Sequence, residues 1–187
     1  MKRFLSVFFV LAVALFLTGC KFSEYKNAKE LASNGEYEKA ITAFTALGDY
    51  KGSDERAIIL QIQQFICEFG EAGDSLGTLT PIMYDAEIKS IEGLANRLVE
   101  FTEGFGSSSL ASDEELSEIV DKLNVGGQGI LLLIEMNRES IDEYNASAFT
   151  VLSPTMKAYL SNSEDAFRSV CKQIRAETLP EKYDGWY

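Results

Sequence analysis

The sequence predicts an all-α protein, and three observations support this fold class. Apolar residues recur at spacings of three and four along each long segment, as they do on one face of a helix. No segment shows the strict alternation of apolar and polar residues that is typical of a half-buried strand. Pro81 and Pro154 each follow a Thr or a Ser, which is typical of a helix start, where a missing N–H costs nothing. We therefore expect a helical hairpin followed by an antiparallel helical bundle.

The first residues of the chain form a targeting segment. Lys2 and Arg3 precede an apolar run from Phe4 to Leu17, and small residues follow this run. A basic start, an apolar run of this length and small residues at its end are typical of a secretory signal. The run is too short to span a bilayer as a permanent helix. We predict a signal peptide over residues 1–19.

The segment closes with a short motif, Leu17, Thr18, Gly19 and Cys20. It resembles the lipobox of bacterial lipoproteins, which is a Leu, two small residues and a Cys. The resemblance implies that the Cys20 thiol receives a diacylglycerol and that cleavage makes Cys20 the mature N-terminus. Two acyl chains suffice for stable anchoring. The chain is then anchored by lipid to the extracytoplasmic face of a bacterial membrane. The alternatives are that the apolar stretch is an uncleaved anchor, or that Cys20 is incidental.

The rest of the chain is strongly acidic. The signal contains two of the 17 basic residues and none of the 29 acidic ones, which leaves 15 against 29 and a net charge of −14. Such a charge argues against nucleic acid and against anionic lipid headgroups as partners. It suits a soluble body held off a negatively charged membrane surface, and solubility alone is the alternative explanation.

The residue types that most catalytic sites need are scarce. The chain contains no histidine, the commonest general base and transition-metal ligand. We expect neither an enzyme nor a cofactor.

Cys67 and Cys171 remain once Cys20 is assigned to lipid. Outside the cytoplasm they can form a disulfide or stay as two buried thiols, and we favour the thiols because the sequence does not place them within bridging distance.

The segment after the signal, residues 20–52, carries a pattern of small and large residues. Its members are Ala28, Leu31, Gly35, Tyr37, Ala40, Phe44 and Leu47. This spacing resembles a single tetratricopeptide repeat, a two-helix hairpin, at about residues 23–47. We predict helices over about 23–33 and 36–47, with Gly35 in the left-handed conformation that ends the first. No second copy follows, so the resemblance implies one interaction-type hairpin supported by the rest of the chain.

Residues 53–178 are expected to form the bundle. An apolar face over 57–69 predicts its first helix, and Gly70, Gly73 and Gly77 predict the loop after it. Pro81 opens the next helix, which is expected to end near residue 104.

The longest predicted element covers residues 113–145. Ser112 and Glu115 form a capping-box pattern at its start. One apolar phase continues through Gly126, Gly127 and Gly129, so the segment forms either one long helix or two helices broken there, and we expect at least a kink. The absent side chains predict either that another helix approaches closely there or that the helix bends.

The end of the chain combines a last helix and a tail. Pro154 opens the helix, and residues 179–187 contain Pro180 and Gly185, which predict an irregular tail. Its Trp186 and Tyr187 can dock a partner, fold back over the helices or be disordered.

Two charged residues fall on predicted apolar faces. Glu87 lies at the centre of the apolar face of the helix opened by Pro81, and Arg138 lies on that of the long helix. A carboxylate in a core must be paired or neutralised, so these residues can line a polar pocket inside the bundle. Alternatively, Glu87 lies near a bundle end and reaches water.

These observations favour a non-catalytic protein-binding or scaffold module that is held at a membrane by its N-terminal lipid and has another protein as its partner. The alternative is a helical bundle that binds or senses a small ligand in an interior pocket. A pocket lined by Glu87 and Arg138 would favour the ligand. An exposed apolar groove would favour the protein partner.

Overall fold

The computed structural model describes residues 20–75, 81–146 and 154–186. Leu17, Thr18 and Gly19 therefore lie outside the described residues, as do the rest of the signal segment, Gly77 and Tyr187. Every regular element in the described part of the chain is a helix, which confirms the all-α fold class.

Six α-helices follow one another along the described residues. α1 covers residues 20–33, and α2 spans Tyr37–Leu47. A 3₁₀ turn at Tyr50–Gly52 leads into α3, which spans Ser53–Ser75. α4 spans Pro81–Phe105, α5 spans Glu114–Ala146 and α6 spans Pro154–Arg175, so both prolines are first helical residues as predicted. A second 3₁₀ turn, Glu181–Tyr183, lies in the tail.

The chain divides into two compact units. The N-terminal unit contains residues 20–64 together with the tail from Glu181, and the bundle unit contains residues 65–180. The division therefore falls within α3, whereas the sequence suggested residue 52 as the boundary. The tail belongs to the N-terminal unit from residue 181 onward.

The core of the N-terminal unit is built from α1, α2 and the first turns of α3. Ala28, Ala40 and Phe44 are fully buried in one cluster that also includes Leu60. Gly35 lies in the turn between α1 and α2 with a φ of 75°, the left-handed conformation predicted for it. The small alanine side chains leave room for the helices to approach. The likeness of α1 and α2 to a tetratricopeptide repeat stays a prediction.

The bundle unit has its interior among α4, α5 and α6. α4 packs most extensively against α5, and α5 packs against α6. The largest fully buried side chains of these helices are Ile91, Leu98, Leu116, Leu123, Ile130 and Phe167. Along α4 and α5 they recur at multiples of seven, which keeps them on one helical face.

α3 is longer than the sequence suggests, and the loop predicted to begin at Gly70 is wrong. The helix continues to Ser75, so Gly70 and Gly73 are helical. A Cβ on Gly73 would lie 2.7 Å from Cβ of Cys171, and a Cβ on Gly70 would lie 3.0 Å from Cδ of Arg175. The close approach of α6 therefore accounts for both glycines, and packing overrides their weak helix propensity.

α5 is one continuous helix of 33 residues, and its glycines do not break it. A Cβ on Gly126 would lie 2.7 Å from Cγ1 of Ile174 in α6, and a Cβ on Gly127 would lie 3.2 Å from Cγ2 of Val99 in α4. Of the two predicted alternatives, the close approach of another helix is found at both positions. The N-cap lies one residue later than the capping-box pattern indicated, because the Leu116 N–H donates to Oδ1 of Asp113 at 3.3 Å.

The described tail is irregular apart from the 3₁₀ turn at Glu181–Tyr183, as predicted. Tyr183 is buried, and its ring meets that of Trp186 edge-on, with 5.4 Å between the ring centres. Trp186 in turn packs on Arg56 of α3, so the tail folds back within the N-terminal unit. Among the described residues, no helix combines the length and the apolarity needed to cross a membrane.

Candidate functional site

Cys20 is exposed and opens the described part of the chain. It already lies in α1, so no extended spacer separates it from the folded N-terminal unit. Lys21 and Phe22 follow at once, and 54% of the Phe22 surface is exposed. Because a helix rises only about 1.5 Å per residue, both residues lie within about 3 Å of Cys20 along the helix axis.

Aromatic rings and basic groups lie close together near the first residues of α1. The Tyr25 ring meets the rings of Phe44 and Tyr50 edge-on, with centres 5.7 and 5.9 Å apart. The Lys51 ammonium lies 4.7 Å from the Phe22 ring centre and 5.5 Å from those of Tyr25 and Tyr50. Ammonium–ring attractions are worth about 0.5–1 kcal/mol each at exposed sites. They help to hold Lys51 at a φ of 53°, which side-chain-bearing residues rarely adopt.

Arg56 connects these rings to the C-terminal tail. Its guanidinium carbon lies 5.7 Å from the Tyr25 ring centre and 4.4 Å from that of Trp186. Its Nε and Nη1 atoms are buried, with no hydrogen-bond partner among the described residues. Stacking on two ring faces therefore stabilises its charge. We call the six residues Lys21, Phe22, Tyr25, Lys51, Arg56 and Trp186 the aromatic–basic cluster.

A groove of about 700 Å³ opens between α5 and the last turns of α6. Gly126, Val170 and Ile174 line it, and Val125 joins them with 70% of its surface exposed. Gly129 also lines it, and a Cβ there would meet nothing within 4 Å. An open apolar groove of this kind is typical of a docking site.

Charged residues complete the lining of the groove. Glu118, Asp121 and Glu177 are acidic, and Lys122 is basic. The Lys122 Nζ lies 3.2 Å from Oε1 of Glu118 and 3.4 Å from Oε2 of Glu177. Hydrogen bonds to Glu118 and then to Glu177 raise the pKa of Lys122. The lining therefore contains three carboxylates and one ammonium group, which is already paired, so the groove presents net negative charge to a partner.

The structure puts Glu87 and Arg138 in different surroundings. Glu87 is half-buried, lines an open cavity of about 340 Å³ with Arg97, and accepts a 3.5 Å hydrogen bond from Ser75. Arg138 has 56% of its side chain exposed and pairs with Glu92 at 2.8 Å. Arg138 therefore lies at the surface. The spacing of apolar residues along the helix had suggested a position in the bundle interior. Its long aliphatic stem lets the guanidinium reach water even though the residue lies in register with the apolar face of the helix.

Cys67 and Cys171 are thiols and not a disulfide, as favoured from the sequence. Cys171 is fully buried, whereas Cys67 is only half-buried. Burial raises the pKa of the Cys171 thiol to about 11, because the thiolate would lose its hydration. A thiol in this state packs as a small hydrophobe and is a poor nucleophile at neutral pH.

The described ranges contain no cluster of three or more His, Cys, Asp or Glu residues that could hold a metal ion. No known protein family, curated protein or solved structure matches the chain. Function must therefore be inferred from the chemistry of the groove and of the aromatic–basic cluster.

Sequence reasoning missed both surfaces. Val125 lies outside the apolar spacing of α5 and directly before Gly126, and an apolar residue in such a position is the signal that could have pointed to a groove. The pairing of Arg56 with Trp186 has no comparable signal, because the two residues lie in distant parts of the chain.

Proposed function

We propose that this protein is a bacterial lipoprotein, anchored by lipid to the extracytoplasmic face of a membrane, whose helical body binds another protein without catalysing a reaction. The open apolar groove between α5 and α6 carries the binding role. Exposed apolar surface costs about 25 cal/mol per Å², and a partner that covers it recovers this free energy. The exposed Val125 is the part of the groove best placed to contribute.

The lining of the groove also defines the partner's chemistry. Acidic residues outnumber the single Lys122, so a complementary segment would carry Lys or Arg beside its apolar residues. A groove between two helices suits an amphipathic helix, whose apolar anchors recur every three or four residues. We therefore propose a partner that inserts a basic amphipathic helix.

The anchor rests on the motif Leu17, Thr18, Gly19 and Cys20, with an exposed thiol at the position where lipid would be attached. Replacing Cys20 by Ser tests it in cells that process lipoproteins. We expect Cys20→Ser to leave the membrane fraction or to accumulate as an uncleaved precursor. Processing and membrane retention equal to those of the parent chain would contradict the anchor.

The groove can be tested by photo-crosslinking in living cells. A photoreactive phenylalanine analogue in place of Val125 should form an adduct with one protein. The matched control is the same analogue at Met136, which lies on the same helix, has 67% of its surface exposed and does not line the groove. Equal adducts from both positions, or none from either, would contradict docking in the groove.

A filled groove provides a second test. Gly129→Phe should abolish the adduct formed from position 125, because the ring would occupy the space that the partner needs. The fold should tolerate the change, since a Cβ at Gly129 meets nothing within 4 Å. Gly129→Ala is the control and should leave the adduct intact. Persistence of the adduct in Gly129→Phe would mean that the partner lies elsewhere.

The alternative role, a bundle that binds a small ligand in an interior pocket, has less support. It depended on Glu87 and Arg138 facing one cavity. Arg138 is exposed, and the cavity beside Glu87 is open and about half the volume of the groove.

A further inference from the structure

We infer that the aromatic–basic cluster of the N-terminal unit is a membrane-contact surface that sits in the phospholipid headgroup region. The inference rests on the proposed lipid anchor at Cys20 and names the surface that this anchor brings to the bilayer. The partner is the phospholipid bilayer itself.

Proximity to the anchor is the first argument. Residues 20–33 are helical, so Lys21 and Phe22 follow Cys20 along α1 without a spacer. Two acyl chains on Cys20 would enter the bilayer, and at about 1.5 Å of rise per residue Phe22 lies only about 3 Å further along the helix axis than Cys20. Phe22 is 54% exposed in the N-terminal unit, so it is available to lipid.

The chemistry of the cluster is the second argument. Trp and Tyr are enriched where a membrane meets water, because they join an apolar ring to a polar tip, and Lys and Arg can keep their charge among headgroups while their stems contact lipid. The cluster is continuous: Lys51 bridges Phe22 to Tyr25, and Arg56 bridges Tyr25 to Trp186. It therefore combines aromatic rings and cations on one folded unit, and Lys21, Phe22 and Lys51 are its exposed members.

The distribution of charge is the third argument. Residues 20–64 and 181–187 contain seven basic and nine acidic residues, a net charge of −2. Residues 65–180 contain eight basic and twenty acidic residues, a net charge of −12. The acidity that argued against anionic headgroups is thus almost entirely a property of the bundle unit. The unit that follows the anchor is repelled far less by a negatively charged surface.

Trp186 makes the surface measurable, because it is the only tryptophan of the chain. The test uses residues 20–187 with Cys20→Ser and an N-terminal hexahistidine, bound to vesicles of phosphatidylcholine and phosphatidylglycerol that carry a nickel-chelating lipid. Brominated phosphatidylcholine in these vesicles quenches any tryptophan that approaches the acyl chains. We expect quenching and a blue shift of the Trp186 emission. Bromines near the headgroup end of the acyl chain should quench more than bromines near its methyl end.

Matched variants separate a specific surface from tethering alone. Phe22→Asp should weaken the interaction about tenfold, as expected for a lost apolar side chain, and so reduce the quenching. Leu132→Asp, which alters a residue 56% exposed in the bundle unit, should not. A chain with Trp186→Phe and Leu132→Trp moves the fluorophore and should show little quenching.

The outcomes separate this inference from the anchor. An unquenched Trp186, or equal quenching of tryptophan at positions 186 and 132, would overturn the contact surface and leave the anchor at Cys20 intact. Processing and membrane retention of Cys20→Ser equal to those of the parent chain would overturn the anchor instead. The nickel tether does not depend on lipid attachment, so it reports on the surface in either case.

Discussion

The guanidinium group of Arg56 stacks on the indole ring of Trp186, with 4.4 Å between the guanidinium carbon and the ring centre. Arg56 lies near the start of α3 and Trp186 near the end of the chain, so this contact joins the tail to the N-terminal unit. Tyr183 adds an edge-on ring contact to Trp186 from within the tail. The tail is therefore a folded part of the unit.

We predict that Trp186→Ala lowers the free energy of unfolding by about 1–3 kcal/mol. The change removes a cation–π contact worth about 0.5–2 kcal/mol and the apolar area that the half-buried indole ring covers in the N-terminal unit. Urea denaturation followed by circular dichroism measures it. Trp186→Phe keeps a ring over Arg56 and should cost less than half as much. Equal stability of the Ala variant and the parent would mean that the tail contributes nothing to the unit.

The packing of α1 and α2 is tested at Ala40. This side chain is fully buried in the same cluster as Ala28, so Ala40→Leu overpacks the contact and should destabilise the fold by about 1–3 kcal/mol. Ala46→Leu is the matched control, because Ala46 is exposed on the same helix. Thermal melts of both variants give the comparison. If the two melt together, the tight packing at Ala40 is wrong.

Local signals predicted much of this fold. Prolines at residues 81 and 154 opened helices, Gly35 adopted its left-handed conformation, and the apolar phase of α5 ran unbroken through its glycines. Each of these depends on residues within a few turns of one another, which a sequence displays directly.

The errors arose where distant residues decide the outcome. Gly70 and Gly73 look like a loop until Arg175 and Cys171 of α6 are placed against them. The spacing of apolar residues predicts that Arg138 lies in the interior. Its ion pair with Glu92 at the surface depends on α4, which the sequence of α5 does not reveal. The groove is likewise the space between two helices, so its shape belongs to neither segment alone.

Cys171 should make stability depend on alkaline pH. Its pKa is raised to about 11 in the folded protein, from an ordinary value of 9.0. The unfolded state loses its proton first, so stabilisation is full below about pH 9 and is lost as the pH rises through about 11. At about 1.4 kcal/mol per pKa unit, the total loss is about 2–3 kcal/mol.

This loss is measured as the difference between the parent chain and Cys171→Ala, in urea titrations at pH 8 and at pH 10.5. Other groups titrate in the same range, and the Ala variant cancels their contribution. We expect the parent to lose stability more steeply than the variant. Parallel losses would show that the buried thiol is not the cause.

The glycines of α5 allow the sharpest test of the packing, because neighbours on one helix face different surroundings. A Cβ on Gly127 would lie 3.2 Å from Val99 and 3.3 Å from Leu98, whereas a Cβ on Gly129 would meet nothing within 4 Å. Gly127→Leu should therefore destabilise the fold by several kcal/mol, beyond the usual cost of about 1–3 kcal/mol for overpacking. Gly129→Ala should stabilise it by about 0.5–1 kcal/mol, because alanine has the higher helix propensity. Gly126→Ala, one residue before Gly127, should destabilise the fold, since its Cβ would meet the stiff, buried Ile174 at 2.7 Å. Thermal melts of the three variants rank these effects. Stabilisation by all three would show that neither α4 nor α6 approaches α5 as closely as described.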